Sequence, residues 1–203
     1  MNVAFLNAHR RIMLDKNITV VVSGLPRSGT SVMMQILEAA SIEILTDRIR
    51  LSDDDNLKGY YEIEAVKKLY EDQSCLKNAP GKAVKVISEL LKYLPTDQKY
   101  KIIFMNRNLN EVLASQKQML IRKGKPTGGI SDERLAELYR KHLSQVKNWL
   151  EKKSWIETLY VSHNELVNNP EKVISEINQF LGGTFDEKQM ISVIDKKLYR
   201  QRY

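Results

Sequence analysis

The segment "VVVSGLPRSGTS", Val20 to Ser31, passes from a β-branched run into a turn of Gly, Pro, Ser and Thr. A helical pattern starts at once behind it: "TSVMMQILEAA" places Val32, Met33, Ile36, Leu37 and Ala40 on one stripe. Ahead of it, "ITVVVSG" (Ile18 to Gly24) is apolar at nearly every position, the pattern of a central parallel strand buried on both faces. A strand, a Gly-rich turn and a helix in this order form an anion-binding unit, because the turn's backbone N–H groups converge at a helix N-terminus.

The rest of the chain continues the alternation. "IEIL" (Ile42 to Leu45), "KAVKVI" (Lys82 to Ile87), "YKIIFMNR" (Tyr100 to Arg107) and "WIETLYVSH" read as strands. Helices are expected from about Glu62 to Asp72, over "SELLKYL", over "NLNEVLASQKQML" behind an Asn cap, and over the long amphipathic stretch that opens at Ser131. Two more follow, "PEKVISEINQFLGG" with Pro at its start and Gly at its end, then "DEKQMISVID". Strands alternating with helices imply an α/β domain, a three-layer αβα sandwich on a central parallel sheet. Residues 1–17 are set apart as an N-terminal arm or helix, and residues 18–203 are read as a single domain.

Composition narrows the partners. The chain of 203 residues has 42% hydrophobic and 28% charged residues and no apolar run of membrane-spanning length, so a soluble protein with no membrane span is expected. Cys75 is the sole cysteine and cannot pair within the chain, which suits a reducing compartment and a cytoplasmic location. The net charge of +7 favours anionic ligands. Its basic residues are dispersed among acidic ones, without a basic block or an aromatic stripe, so nucleic acid is not an expected partner. A small polyanion is.

Gly24 to Ser31 has the spacing of G-x-x-x-x-G-K-[ST], with Thr30 where the Lys of a nucleoside triphosphatase stands. Without that Lys, the main charge on the β- and γ-phosphates of ATP or GTP is missing. Arg27 supplies a cation inside the turn instead, able to bond two oxygens of one phosphate or sulfate. A plain strand-to-helix turn is the simpler reading of any Gly-rich loop, but Pro, Arg, Ser, Gly, Thr and Ser in register behind a buried strand is more specific.

This loop resembles the 5′-phosphosulfate loop of sulfotransferases, which use 3′-phosphoadenosine 5′-phosphosulfate (PAPS), and is close to the P-R-S-G-T-T form of the protein-tyrosine and bacterial type. The resemblance implies a P-loop NTPase-like fold, and that Arg27, Ser28, Gly29, Thr30 and Ser31 hold the donor's 5′-phosphate. A second motif agrees: in "IIFMNRNLNEVLASQ", Arg107 closes a strand and Ser115 lies eight residues on, within the next helix. A guanidinium and a hydroxyl so placed face one anion at the sheet's C-terminal edge. The family has an Arg and a Ser at this spacing that bind the 3′-phosphate of PAPS. The stretch "LYVSHNELVNNPEKVISEINQFLG" is similar to the family's last strand and its helix ending in F-L-G. The tail "KKLYRQRY" offers Arg200 and Arg202 as further 3′-phosphate contacts, without the Gly found in cytosolic members.

Sulfuryl transfer needs an aligned acceptor, a base for its proton and cations over the developing charge. The cytosolic branch carries its base, a His, in a K-T-H context; here the sequence is "KVISELL" and that His is absent. Lys85 corresponds to the Lys of that strand, which the resemblance assigns to the bridging oxygen and leaving group. Two carboxylates compete for the base: Asp47, placed like the Glu of the tyrosine-sulfating branch, and Glu62 in "NLKGYYE". Both lie beside an acidic loop, "SDDDN", in which such residues are ordinarily solvated.

No metal-ligand cluster stands out. The function so read is transfer of a sulfuryl group from PAPS, releasing PAP, to a hydroxyl or amine. The alternatives are a P-loop kinase or phosphotransferase, which Thr30 disfavours, and a nucleotide-binding protein that kept the fold without catalysis. Neither the acceptor nor the oligomeric state has a readable signature, and the pair Tyr60, Tyr61 suits packing as well as stacking on an acceptor.

Overall fold

The computed structural model describes residues 14–47, 49, 59–127 and 129–195. Among them, β1 (Ile18–Gly24), β2 (Ile44–Leu45), β3 (Ala83–Lys85), β4 (Lys99–Asn106) and β5 (Ile156–Ser162) form one sheet, all parallel, in the order β2-β3-β1-β4-β5. The expected central strand is central: β1 pairs with β3 on one side and β4 on the other, and Val20, Val21 and Val22 are wholly buried. Strand order reverses direction about β1, so its C-terminal end borders the crevice where open α/β sheets take ligands.

Six α-helices among the described residues cover the two faces: α1 (Thr30–Ala39), α2 (Leu109–Arg122), α3 (Asp132–Leu150), α4 (His163–Asn168), α5 (Pro170–Leu181) and α6 (Glu187–Ser192). The period-2 alternation of the strands sorts the core into two layers. Val20, Val22, Ala83, Ile103 and Met105 pack under α1, α4, α5 and α6, meeting Met33, Leu37, Leu166, Ile174, Ile177 and Met190. Val21, Val84, Ile102 and Phe104 face the other way, against Leu91, Leu150, Trp149 and Trp155. This is the three-layer αβα arrangement expected from the alternation of patterns. Among the described residues, no helix is long and apolar enough to cross a membrane.

Local signals place the helix ends. Asn108 caps α2 by accepting from the Asn110 N–H at 2.9 Å, and Ser131 caps α3 by accepting from the Arg134 N–H at 3.2 Å. Pro170 opens α5 and Gly182 closes it. Three expectations are revised. The helix anticipated over 62–72 is a 3₁₀ turn, Glu64–Lys68, followed by a second over Ser74–Leu76; only Val66, Leu69 and Leu76 of this stretch reach the core, too few for a continuous apolar stripe. "SELLKYL" is likewise 3₁₀, over Ser88–Tyr93. Helix α4 begins at His163, inside what reads as the last strand, because Ser162 caps it by accepting from the Glu165 N–H at 3.3 Å.

Candidate active site

The turn between β1 and α1 is bent back on itself by two glycines. Gly24 has φ 147 and Gly29 has φ 102, and a side chain at either would run into something solid: the Met105 carbonyl and Ser28 hydroxyl at Gly24, the His163 ring at Gly29. Arg27, between them, is left-handed at φ 74, a conformation that costs a non-glycine residue about 1–2 kcal/mol. Two bonds from later elements hold it there. Gln116 Nε2 on α2 donates to the Pro26 carbonyl at 3.0 Å, and Arg107 Nη1 donates to the Arg27 carbonyl at 3.1 Å. Behind the turn, α1 points its N-terminus, with Thr30 and Ser31, at the crevice. Ser28 closes the turn from within: its N–H donates to the Leu25 carbonyl at 3.1 Å, and its buried hydroxyl is turned inward without a hydrogen-bond partner.

On the β4 side of the turn, Arg27, Arg107 and Ser115 come together. Arg27 Nε donates to Ser115 Oγ at 3.0 Å, so the guanidinium of the turn lies against the hydroxyl of α2. Arg107, just past the end of β4, is bound by Glu111 in the first turn of α2, Nε to Oε2 at 2.8 Å. Glu111 has no solvent exposure and the Arg107 side chain only 9%. The other carboxylate oxygen, Oε1, accepts from Asn164 Nδ2 of α4 at 3.0 Å. Next to Asn164, burial, aided by the Arg107 charge and opposed by Glu111, pushes the His163 imidazole down to about 4, so it is neutral at physiological pH.

On the β3 side stands a second cation. Lys85, 8% exposed, donates from Nζ to Ser31 Oγ at 3.3 Å, to the Tyr60 carbonyl at 3.0 Å and to Glu62 Oε1 at 3.2 Å. Glu62, Ser31 and Lys85 therefore share one locus at the mouth of the crevice. Asp47 is engaged nearby but differently. Its carboxylate accepts from the Glu64 N–H at 2.6 Å and the Ile49 N–H at 3.0 Å, and these backbone bonds hold it below the usual carboxylate range. Its own N–H donates to the Glu62 carbonyl at 3.3 Å, so Asp47 anchors the segment that carries Glu62. Tyr60 is buried and Tyr61 donates its hydroxyl to Glu38 Oε2 at 2.6 Å, so both tyrosines are used in packing and bonding within the chain.

The site thus has two cationic clusters flanking one helix N-terminus. Of the residues singled out in the sequence, Arg27, Arg107 and Ser115 meet on one side, Ser31, Lys85 and Glu62 on the other, and Gly29 and Thr30 lie between them; Arg200 and Arg202 lie outside the described residues. Glu111, His163 and Asn164 were not among those singled out. Arg107 precedes the Asn108 cap of α2, so its pairing with Glu111 is not the regular within-helix kind that spacing reveals; His163 and Asn164 carry no signal either, since their approach to the turn is made by the fold. Among the described residues, no group of three or more His, Cys, Asp or Glu is placed to hold a metal ion.

The chain matches the sulfotransferase domain family over residues 17–201. It is 24% identical over 185 residues to Sulfotransferase 1B1 of Mus musculus, an alignment covering 86% of this chain and 62% of that protein. The chain therefore spans less than two thirds of that relative's length. Among solved structures, it is similar to mouse sulfotransferase SULT7A1 complexed with PAP, with TM-score 0.56 at 16% identity over 93% of this chain and 66% of that one. It is also similar to the sulfotransferase domain of the Synechococcus PCC 7002 olefin synthase, with TM-score 0.53 at 17% identity over 94% and 90% of the two chains. These likenesses establish a shared fold.

Proposed function

The chain belongs to the sulfotransferase domain family, and from that premise and the geometry of the crevice we propose that it transfers a sulfuryl group from PAPS to a hydroxyl or amine of an acceptor. One observation carries the reading: two separate cationic clusters, Arg27–Ser115–Arg107 and Lys85–Ser31, stand on either side of a single helix N-terminus. A donor with anionic groups at both its 3′ and 5′ positions suits such a pair. A nucleoside triphosphate, with all its phosphates on one side, suits a Lys in the turn, where this chain has Thr30.

When bound, PAPS supplies an activated sulfuryl group whose bridging S–O bond breaks as the acceptor's bond to sulfur forms. The chain's own residues do the rest. Backbone N–H groups at the start of α1, with the Thr30 and Ser31 side chains, hold the 5′-phosphate. Lys85, fixed by Ser31, Glu62 and the Tyr60 carbonyl, places its charge where the leaving phosphate oxygen gains electrons. Glu62, beside it, takes the acceptor's proton. Asp47 is assigned the lesser part: a carboxylate occupied by two backbone N–H groups and held below its ordinary range is a weak base, and it serves by fixing the Glu62 segment. Arg107 and Ser115 bind the 3′-phosphate, joined by Arg200 and Arg202 of the tail. The same reading takes residues 18–203 as one domain with residues 1–17 as an arm, and a sole cysteine, Cys75, supports a reducing, cytoplasmic location.

Calorimetric titration with PAP, 5′-AMP and ATP with Mg²⁺ tests the reading. Binding of PAP well ahead of 5′-AMP and ATP is expected. Equal or tighter binding of ATP with Mg²⁺ would overturn it in favour of a phosphotransferase, and PAP binding without turnover of PAPS on any hydroxyl or amine would identify a nucleotide-binding protein without catalysis.

A further inference from the structure

We infer that Tyr139 of α3 is a positioning residue for the nucleotide: through Gln116 it holds the Pro26–Arg27 peptide in the orientation that shapes the turn after β1. This rests on the donor assignment above and adds a residue that acts on the site through another. Leu25 to Ser28 form a β-turn, closed by the Ser28 N–H donating to the Leu25 carbonyl at 3.1 Å. The ring of Pro26 holds the first central residue at a φ of about −65°. Arg27, the second, is at φ 74, so the turn is type II, in which that position ordinarily belongs to Gly. With an Arg there, type I is the easier form. The two types differ by a rotation of the central peptide through about half a turn, which reverses the direction of the Pro26 carbonyl. That carbonyl is the group that Gln116 Nε2 holds at 3.0 Å.

A half-buried Gln side chain has several torsions to fix before it can hold anything. Tyr139 fixes them from the far end, its hydroxyl donating to Gln116 Oε1 at 2.8 Å. With the carbonyl end of the amide engaged there, the N–H₂ end is presented to Pro26, whose carbonyl can only accept. Tyr139 is itself carried on an anchored helix. Three residues on, on the same face of α3, His142 Nε2 shares a 2.8 Å hydrogen bond with Ser88 Oγ, just past the strand that bears Lys85. Helix α3 therefore reaches the turn through Tyr139 and the Lys85 side through His142. A flip of the Pro26–Arg27 peptide would reverse the Arg27 N–H and draw the Arg27 side chain away from Ser115 Oγ, which its Nε meets at 3.0 Å. Tyr139 opposes that flip before any ligand arrives, so its contribution appears as preorganisation of the turn.

The test is PAP affinity, by calorimetry, with Tyr139→Phe introduced into three backgrounds: the wild-type chain, Gln116→Ala and Arg27→Gly. In the wild-type chain, removing the hydroxyl is expected to lower PAP affinity by about 3- to 10-fold, the worth of one hydrogen bond. In Gln116→Ala the hydroxyl has no amide to hold, so the same change is expected to alter affinity by less than about twofold. Gly at position 27 takes a positive φ without cost and makes type II the preferred turn, so there too the change is expected to cost less than about twofold, whatever Arg27→Gly itself costs. A tyrosine that only packs α3 on α2 would lose the same factor in every background. That result, or an unchanged PAP affinity for Tyr139→Phe in the wild-type chain, overturns the inference. A wild-type chain that does not bind PAP overturns the donor assignment instead, a result distinct from the previous one. All affinities are measured well below the melting temperature of each variant, so that lost folding does not enter.

Discussion

Replacing Glu111 by Ala removes a carboxylate that is fully enclosed and accepts two hydrogen bonds, from Arg107 Nε at 2.8 Å and Asn164 Nδ2 at 3.0 Å. The Arg107 side chain, 9% exposed, loses its counter-ion without gaining water. Breaking a buried ion pair from one side costs roughly 3–5 kcal/mol, because a charge is left uncompensated in a poorly polarisable interior. For a domain of this size each kcal/mol is worth roughly 2–4 °C, so the melting temperature of Glu111→Ala is expected to fall by about 6–20 °C. Glu111→Gln keeps the shape and one acceptor oxygen but turns an amide N–H₂ toward one of the two donors, and an intermediate loss is expected.

Urea unfolding followed by circular dichroism measures these differences, and a double-mutant cycle shows their origin. With Arg107→Met and Glu111→Leu combined, no charge remains to be buried, so the double variant is expected to be more stable than Glu111→Ala alone. The coupling between the two sites should be on the order of 1–3 kcal/mol. A loss below about 1 kcal/mol for Glu111→Ala, or additivity within about 0.5 kcal/mol, would refute the reasoning, because a solvated surface pair behaves in that way.

Stability should also depend on pH through His163. Its folded pKa, about 4 against an ordinary 6.5, means that the unfolded chain takes up the proton first as pH falls. Stability is therefore expected to be full above about pH 6.5 and to decline toward pH 4 by up to about 3 kcal/mol, with His163→Asn losing that part of the slope in urea titrations at stepped pH. Gly29→Ala places a methyl group against the His163 ring at φ 102 and should weaken PAP binding at least tenfold, while Gly29→Ala with His163→Ala recovers only part, since the backbone strain of about 1–3 kcal/mol remains. In a PAPS turnover assay, Lys85→Met and Glu62→Gln are each expected to lower kcat by about 10²–10³, with PAP affinity little changed in Glu62→Gln and lowered in Lys85→Met, since Lys85 faces the oxygen that bears the charge in PAP; a loss confined to KM would remove both from the chemical step.

The parts of the molecule that were legible in the sequence are those set by local chemistry. The nearly continuous apolar run Ile18 to Gly24 identifies a strand with neighbours on both sides, and the structure puts it at the centre of the sheet. Asn108, Ser131, Pro170 and Gly182 mark helix ends because each satisfies or relieves specific backbone groups. Where the fold decides, sequence patterns lose their hold. Residues 62–72 read as a helix, yet they bury only Val66 and Leu69, and 3₁₀ geometry prevails over Glu64–Lys68. Helix α4, six residues long, is too short to show a period. In the site, Arg107 and Ser115 stand out because a strand end and the following helix fix their spacing. The enclosure of Glu111 and the approach of His163 to Gly29 depend on β5 pairing with β4, a contact between distant parts of the chain.

That pairing also explains why a fully buried carboxylate is tolerated beside the crevice. An apolar pair of similar volume would be at least as stable as Arg107–Glu111, so stability does not account for it. Position does. Glu111 takes the Nε edge of the guanidinium, Asn164 holds Glu111 from α4, and the Nη edge is left facing the turn, where Nη1 meets the Arg27 carbonyl. The ends of β1, β4 and β5 are thereby tied through one side chain, and any displacement of the β5–α4 junction reaches the turn by two routes, through Asn164 to Arg107 and through His163 to Gly29. A turn fixed on both flanks before its ligand arrives has little ordering left to do on binding, which would favour the selection between PAP and 5′-AMP that the proposed function calls for.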